Sequence, residues 1–165
     1  MRIGLLSDTH SYLDDKIFTY FEACDEIWHA GDIGTLELAD KLAAFKPLRA
    51  VYGNIDGHEI RKVHPENQQF KCENLNVWIT HIGGYPGHYA IDIREEIKRN
   101  PPDLFICGHS HILKVMRDPK LNNMLHINPG AAGINGFHKV KTIVRFTVDR
   151  KMIKELQVIE LGAIG

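Results

Sequence analysis

Three times in its first 56 residues the chain runs through a short apolar stretch, stops at side chains that can bind a cation, and moves on. Arg2 to Ser7 ends in Asp8-Thr9-His10, Glu26 to Ala30 ends in Gly31-Asp32, and Leu48 to Tyr52 ends in Gly53-Asn54-Ile55-Asp56. Between the first two stretches Ile17, Phe18, Phe21 and, less regularly, Cys24 recur at helical spacing behind Ser11 or Asp14, either of which can cap a helix. Between the next two, Thr35 is placed to cap a helix with Leu36, Leu38, Ala39, Leu42 and Ala43 apolar. A repeat of strand, polar residue and helix indicates βαβ units and a largely parallel sheet. Ligands of such sheets gather beyond the carboxyl ends of the strands. Asp8, His10, Asp32 and Asn54 are therefore expected in one site.

The second half reads differently. Gln68 to Cys72 and Leu75 to Thr80 are expected as strands joined at Glu73-Asn74, the second running into His81 and the glycine-rich loop Ile82 to His88. A helix is expected from Tyr89 to Arg99, with Ile91, Ile93 and Ile97 apolar, closed by Asn100-Pro101-Pro102 because proline cannot continue the helical ladder. Pro102 to Cys107 reads as a buried strand that runs out at Gly108-His109-Ser110-His111. In extended backbone the two imidazoles would face the same side, and Gly108 would let the chain turn close to what they hold. Further strands are expected at Ile112–Arg117, Met124–Asn128, Thr142–Val148 and Met152–Glu160, with turns at Lys120 to Asn123 and Asp149 to Lys151. The simplest closure is an α/β fold of two facing mixed β-sheets flanked by helices, an α-β-β-α sandwich, in a single domain over residues 1–165.

With 165 residues, 44% hydrophobic and 25% charged, the chain can bury a substantial core. It has no apolar run of the ~18 residues a membrane span needs, and its opening residues lack the form of a signal peptide. Cys24, Cys72 and Cys107 are odd in number and far apart, which argues for reduced thiols and a cytoplasmic setting. After His111 there are nine Lys and Arg against four Asp and Glu. That bias either meets an anionic partner or sits on the solvent faces of amphipathic strands. No interleaving of basic and aromatic residues supports a nucleic-acid partner.

Taken together, Asp8-x-His10, Gly31-Asp32, Gly53-Asn54, His81 and Gly108-His109-x-His111 resemble, in that order, the motifs of the calcineurin-like metallophosphoesterase superfamily. The Ser7-Asp8-Thr9-His10 start, the compact length and Asn128-Pro129-Gly130 look most like its small bacterial and archaeal phosphodiesterase branch. The resemblance implies two divalent metal ions. Asp8, His10, Asp32 and His111 would hold one, and Asp32, Asn54, His81 and His109 the other, with Asp32 shared. It also implies a metal-bridging hydroxide as nucleophile, a phosphodiester small molecule as substrate, and catalytic roles for Asn54, His109 and Asp32. Mixed carboxylate, imidazole and amide ligands without thiolate suit Mn²⁺ first, with Zn²⁺, Fe or Ni²⁺ as alternatives. A homo-oligomer is compatible with the family.

One position departs from many relatives. Where their Gly-Asn block continues with a His thought to protonate the leaving oxygen, this chain has Ile55, and the small branch it resembles commonly lacks that His. General-acid help is typically worth about 10²–10⁴ in rate, so weak activity is expected on esters with poor leaving groups. Two other readings stand beside the phosphodiesterase. One is a protein-binding scaffold of the same fold, like the retromer scaffold subunit, against which the intact ligand set argues. The other is a nuclease, for which the chain lacks a capping domain.

The remaining candidates carry two readings each. His29 is either a satisfied strand histidine or a partner of a ligand. Asp56 and His58 either support Asn54 or touch substrate. Tyr85 and His88 either contact substrate or are ordinary loop residues. His64, His126 and His138 are read as structural or exposed, although Phe137 and His138 could line the pocket mouth. Cys107 is read as core.

Overall fold

The structure, a computed structural model, describes residues 1–164. Its first half contains β1 (Arg2–Leu6), α1 (Lys16–Tyr20), β2 (Glu26–His29), α2 (Leu36–Phe45), β3 (Leu48–Ala50), α3 (His58–Val63), β4 (Asn67–Cys72) and β5 (Leu75–Thr80). The second half contains β6 (Gly84–Tyr85), β7 (His88–Tyr89), α4 (Arg94–Arg99), β8 (Leu104–Ile106), β9 (Lys114–Asp118), β10 (Met124–Asn128), β11 (Val140–Asp149) and β12 (Met152–Ala163).

Two five-stranded sheets result, in the orders β12-β11-β1-β2-β3 and β4-β5-β8-β10-β9, beside a small β6-β7 ribbon. The alternation of side chains along β1 explains the layering. Ile3 and Leu5 join Trp28, Val77, Ile79, Leu104, Ile106 and Ile127 in the layer between the sheets. Leu6 turns the other way, to Ile17, Phe21, Leu38 and Leu42 beneath α1 and α2. On the far side Trp78 and Phe105 of the second sheet, with Cys107 just past β8, pack with Ile93 and with Ile97 of α4. Each fully buried Leu, Ile or Phe among these contributes roughly 1.5–3 kcal/mol. The architecture is the expected α/β sandwich of two mixed sheets with helices outside.

Several local expectations change. The parallel run β1-β2-β3 forms as read, but β5, β8 and β10 are also parallel to one another. The last hairpin does not extend the second sheet. β11 instead pairs antiparallel with β1, Leu5 opposite Val144, and completes the first sheet. No helix covers Tyr89 to Ile93. Tyr89 pairs with Gly84 in the ribbon and donates its hydroxyl to Asp118 Oδ2 at 2.6 Å, while Ile91 is 78% exposed. Those tertiary bonds outweigh the helical spacing, and α4 begins only at Arg94. Helix α1 is likewise brief. Phe21 and Cys24 are buried in the turns after it, and the Asp14 carboxylate bonds Lys16 N–H just before it. Thr35 caps α2 as expected, accepting from Leu38 N–H at 3.3 Å, although Ala43 lies exposed. Both basic side chains of β11's outer stretch find local partners: Lys141 bonds Asp14 and Arg145 bonds Gln157 and the Tyr20 carbonyl. Cys24, Cys72 and Cys107 are buried free thiols.

Candidate metal centre

Every strand that carries an expected ligand delivers it at the same rim. β1 runs into Asp8 and His10, β2 into Asp32, β3 into Asn54, β5 into His81, and β8 into His109 and His111. The loops are stitched together by backbone bonds: Asp8 N–H to the Gly31 carbonyl at 2.9 Å, His10 N–H to the Asp32 carbonyl at 3.0 Å, and Gly108 N–H to the His81 carbonyl at 3.0 Å. A Cβ on Gly108 would lie 2.1 Å from Ser7 Oγ and 2.7 Å from Asp8 Oδ2, so only glycine admits the two sheet ends this close. The space it leaves is used by the His109 N–H, which donates to Asp8 Oδ2 at 3.1 Å.

Gly108-His109-Ser110-His111 is not extended, and the shared-side expectation fails for that reason. His109 and His111 have φ of 72° and 63°, in the left-handed region. Asp8, His10 and Asp32 lie there too, at 55°, 45° and 56°. Asp and His tolerate this region better than most residues, and such conformations persist at sites the surrounding structure over-determines. The turn sends the two imidazoles to different neighbours. Asp8, His10 and His111 form one group able to hold a cation, and Asp32, His81 and His109 a second. In the first the His10 and His111 rings meet edge to face at 5.4 Å, and in the second the His81 and His109 rings at 5.3 Å. Asn54 Oδ1 lies 3.0 Å from His109 Nδ1, which brings that amide to the second group.

Between the groups sits Asp32. Its Oδ2 is 3.3 Å from His10 Nε2 and 3.2 Å from His81 Nε2, and its Oδ1 accepts the Ile55 N–H at 3.1 Å. His81 Nδ1 lies 2.7 Å from the Ala30 carbonyl. A carbonyl only accepts, so Nδ1 carries a proton and Nε2 is the nitrogen that faces the Asp32 carboxylate. A proton or a metal ion on Nε2 satisfies that contact. Asp8 Oδ1, His10 Nε2 and His81 Nε2 are buried here without any hydrogen-bond partner among the described residues.

The electrostatics run the same way. Burial pushes the Asp8 carboxyl up, but His10, His111 and His81 around it pull it further down, well below the usual carboxylate range. Burial likewise opposes, and His81 more than offsets it, at Asp32, which is also held down. His10 is raised by Asp8. His81 is raised by Asp32 and Asp8 in spite of burial. His109 is lowered by burial and by the neighbouring His81. Two ionised carboxylates thus draw positive charge into a pocket of imidazoles. The donor set of carboxylate oxygen and imidazole nitrogen, free of thiolate, fits divalent metal ions.

The other candidates separate cleanly. His29 is buried and satisfied: its Nδ1 accepts from Gly31 N–H at 3.1 Å and its Nε2 meets Thr9 Oγ1 at 3.0 Å, Thr9 passing its proton to the Ile33 carbonyl. Burial pushes it down to about 4, so it stays neutral. Asp56 is buried and ties loops together, accepting from Ile33, Gly34 and Gly53 N–H. His58 is exposed at the start of α3. The Tyr85 and His88 rings meet at a tilt, their centroids 4.9 Å apart on the ribbon, with Lys114 over the Tyr85 ring. His126 is core, donating to the Phe105 carbonyl. Cys107, pushed up to about 12 by burial, is core as read. His138, read as structural or exposed or as lining the pocket mouth, lies against a candidate ligand, its Nδ1 3.2 Å from His111 Nδ1. The only signal was its place in Asn135-Gly136-Phe137-His138, which spacing could not link to His111.

Two groups of carboxylate and imidazole side chains at one edge of the sheets thus make a candidate metal centre, and comparison with known proteins supplies the class to which the fold belongs. The chain belongs to the calcineurin-like phosphoesterase superfamily, whose domain profile matches residues 1–151. It is 29% identical over 136 residues to a probable metallophosphoesterase of Methanothermobacter thermautotrophicus, covering 79% of this chain and 77% of that protein. It is also 29% identical over 146 residues to a phosphodiesterase of Methanocaldococcus jannaschii, covering 79% and 83%. Among solved structures, an archaeal phosphodiesterase superposes with a TM-score of 0.76 at 25% identity, over 98% of this chain and all 100% of that one. Vps29 of Chaetomium thermophilum shares the fold, with a TM-score of 0.76 at 16% identity over 98% and 97% of the two chains.

Proposed function

We propose that the protein is a two-metal phosphodiesterase acting on a small-molecule phosphodiester. The observation that carries this reading is the convergence of carboxylate and imidazole ligand atoms, Asp8 Oδ1 opposite His111 Nε2 at 3.2 Å and Asp32 Oδ2 opposite His81 Nε2 at 3.2 Å, where Asp8 Oδ1, His10 Nε2 and His81 Nε2 are buried without a hydrogen-bond partner among the described residues. Asp8, His10 and His111 would hold one divalent ion and Asn54, His81 and His109 the other. Asp32, in contact with a histidine of each group, would be shared. Bound there, the ions would supply Lewis-acid charge and lower the pKa of water toward neutrality.

The chain's own residues do the rest. Asp8 and Asp32, both ionised, leave the loaded pocket with a small positive surplus that a phosphodiester monoanion matches. Ile55, half exposed beside Asn54, has no proton to give the leaving oxygen. Substrates whose leaving group is a stable anion are therefore favoured. Mn²⁺ is the expected physiological ion, with Zn²⁺, Fe or Ni²⁺ as alternatives.

The test is hydrolysis of bis-p-nitrophenyl phosphate beside p-nitrophenyl phosphate by chelator-treated protein, with Mn²⁺, Zn²⁺ or Mg²⁺ restored singly. Diester cleavage that returns with metal and disappears in His109→Ala is the expected result. Loss of the reading would follow from a metal-loaded protein inert toward both esters. A second reading, a protein-binding scaffold, is favoured by one observation: Ile112, Leu113, Val115 and Met116, on and beside edge strand β9, are exposed. The inert outcome would turn attention to that edge.

A further inference from the structure

The loop from Gly133 to His138 touches no strand partner of its own, yet it is packed directly on the first ligand group. A Cβ on Gly133 would lie 2.3 Å from the Thr9 carbonyl oxygen, and one on Gly136, at φ +134°, would lie 2.3 Å from His111 Nδ1. Two glycines thus let the loop lie flat against the Asp8–His10 turn and against the His111 ring. At its end His138 Nε2 is 2.7 Å from the Gly133 carbonyl. The carbonyl accepts, so His138 carries its proton on Nε2. A neutral His138 then offers a lone pair at Nδ1, 3.2 Å from His111 Nδ1. His111 must donate from Nδ1, and its Nε2 lone pair is left pointing at Asp8 Oδ1. The same loop places the Asn135 amide 3.4 Å from His10 Nδ1, the non-facing nitrogen of the group's other imidazole.

We infer that His138, with Asn135, is a positioning residue for the Asp8–His10–His111 subsite alone, fixing the His111 tautomer and ring through the relay Gly133 carbonyl, His138, His111. The second subsite has no tie to this loop. His81 takes its orienting bond from the Ala30 carbonyl on the strand side, and His109 faces Asn54. The two ions of the proposed centre are consequently held by unequal supports, one anchored to β-sheet backbone and one to a surface loop whose neighbour Phe137 is fully exposed. This inference rests on the metal-binding reading above and adds that the first subsite can be tuned without touching the second.

Removal of a partner of this kind typically lowers metal affinity about 10–100-fold. Metal-free wild type, His138→Ala and His138→Gln would be titrated with Mn²⁺ by calorimetry, and bound ions counted by elemental analysis. Two binding steps are expected in wild type. In His138→Ala one step should weaken by that factor and the other stay put. In His138→Gln, whose amide oxygen can accept the same N–H, the lost affinity should largely return. Both steps unchanged in His138→Ala, or both weakened alike, would overturn the relay. Nitrogen-15 NMR of the metal-free wild type tests the relay independently of any variant's folding: His111 should carry a proton on Nδ1 and His138 none on Nδ1, and the reverse pattern refutes the inference. Wild type that takes up no ion would instead remove the metal reading on which the inference stands.

Discussion

Asp56 makes no contact with the candidate ligands' coordinating atoms, and its loss is expected to unfold the site. The carboxylate is 2% exposed. Oδ2 accepts from Ile33 N–H at 3.1 Å and Gly53 N–H at 2.8 Å, and Oδ1 from Gly34 N–H at 2.9 Å. One side chain therefore joins the loop bearing Asp32 to the loop bearing Asn54. Hydrogen bonds to a charged group contribute about 1.5–3 kcal/mol each. Three in one place do not add fully, because a truncated site lets water reach some of the donors. Asp56→Ala is expected to lose about 3–5 kcal/mol. Asp56→Asn keeps one accepting oxygen and sets an NH₂ against an N–H, for a loss of about 2–4 kcal/mol. With a urea slope of about 2 kcal/mol/M, the alanine variant's midpoint falls by about 2 M. Equilibrium unfolding followed by circular dichroism reads this directly. A midpoint within about 0.5 M of wild type, at unchanged slope, would show that these bonds do not hold the loops.

Three further outcomes follow from named contacts. Ile55→His restores a proton donor beside Asn54 and is expected to raise turnover of esters with poor leaving groups by at least about tenfold, with little change on bis-p-nitrophenyl phosphate; equal rates on every ester would refute the role given to this position. His126, stacked on Phe105 and pushed down to about 4 by burial against an ordinary 6.5, stays neutral in the fold while the unfolded chain takes up a proton. Its contribution is full above pH 6.5 and is lost as the pH falls toward 4, worth about 3 kcal/mol at the acid end; His126→Phe should show a shallower acid slope in stability measured from pH 7 to 4, and an unaltered slope would contradict it. Lys141 and Asp14 meet at 2.7 Å with side chains 10% and 9% exposed. Asp14→Asn leaves that ammonium unpaired, for a loss of about 3–5 kcal/mol, whereas Asp14→Leu with Lys141→Met should recover most of it; a double variant no better than the single would disprove the pairing argument.

What the chain discloses by itself follows the range of the interactions involved. Strands that end in Asp8, Asp32, Asn54, His81 and His109 are visible because each is a local apolar run halted by a polar residue. The candidate ligand set is visible because chemistry restricts such a set to few residue types. The ribbon at Tyr89 is not visible, since its hydroxyl's bond to Asp118 spans 29 residues and overrides a respectable helical spacing. The splay of His109 from His111 also stays hidden, because alternation presumes extended backbone and the positive φ values are imposed by the packing of Gly108 on Ser7. Asp56 and His138 look like ordinary polar loop residues. Only the assembled loops reveal that one bridges two ligand-bearing turns and the other backs a ligand. The final hairpin reads correctly as strands, but nothing local states which sheet it joins.

That last hairpin sets a timetable for the molecule. β1 carries Asp8 and His10 on its end, and one of its two edges is closed by β11, with Arg2 opposite Thr147. Until the ribosome has delivered residue 149, the strand that bears the first two ligands is an open edge, available to any other unpaired strand. The relay at His138 arrives at the same late moment. The Asp8–His10–His111 corner of the candidate centre is accordingly complete only after synthesis has passed β11, whereas the strands that carry Asp32, Asn54, His81 and His109 have all been made by then.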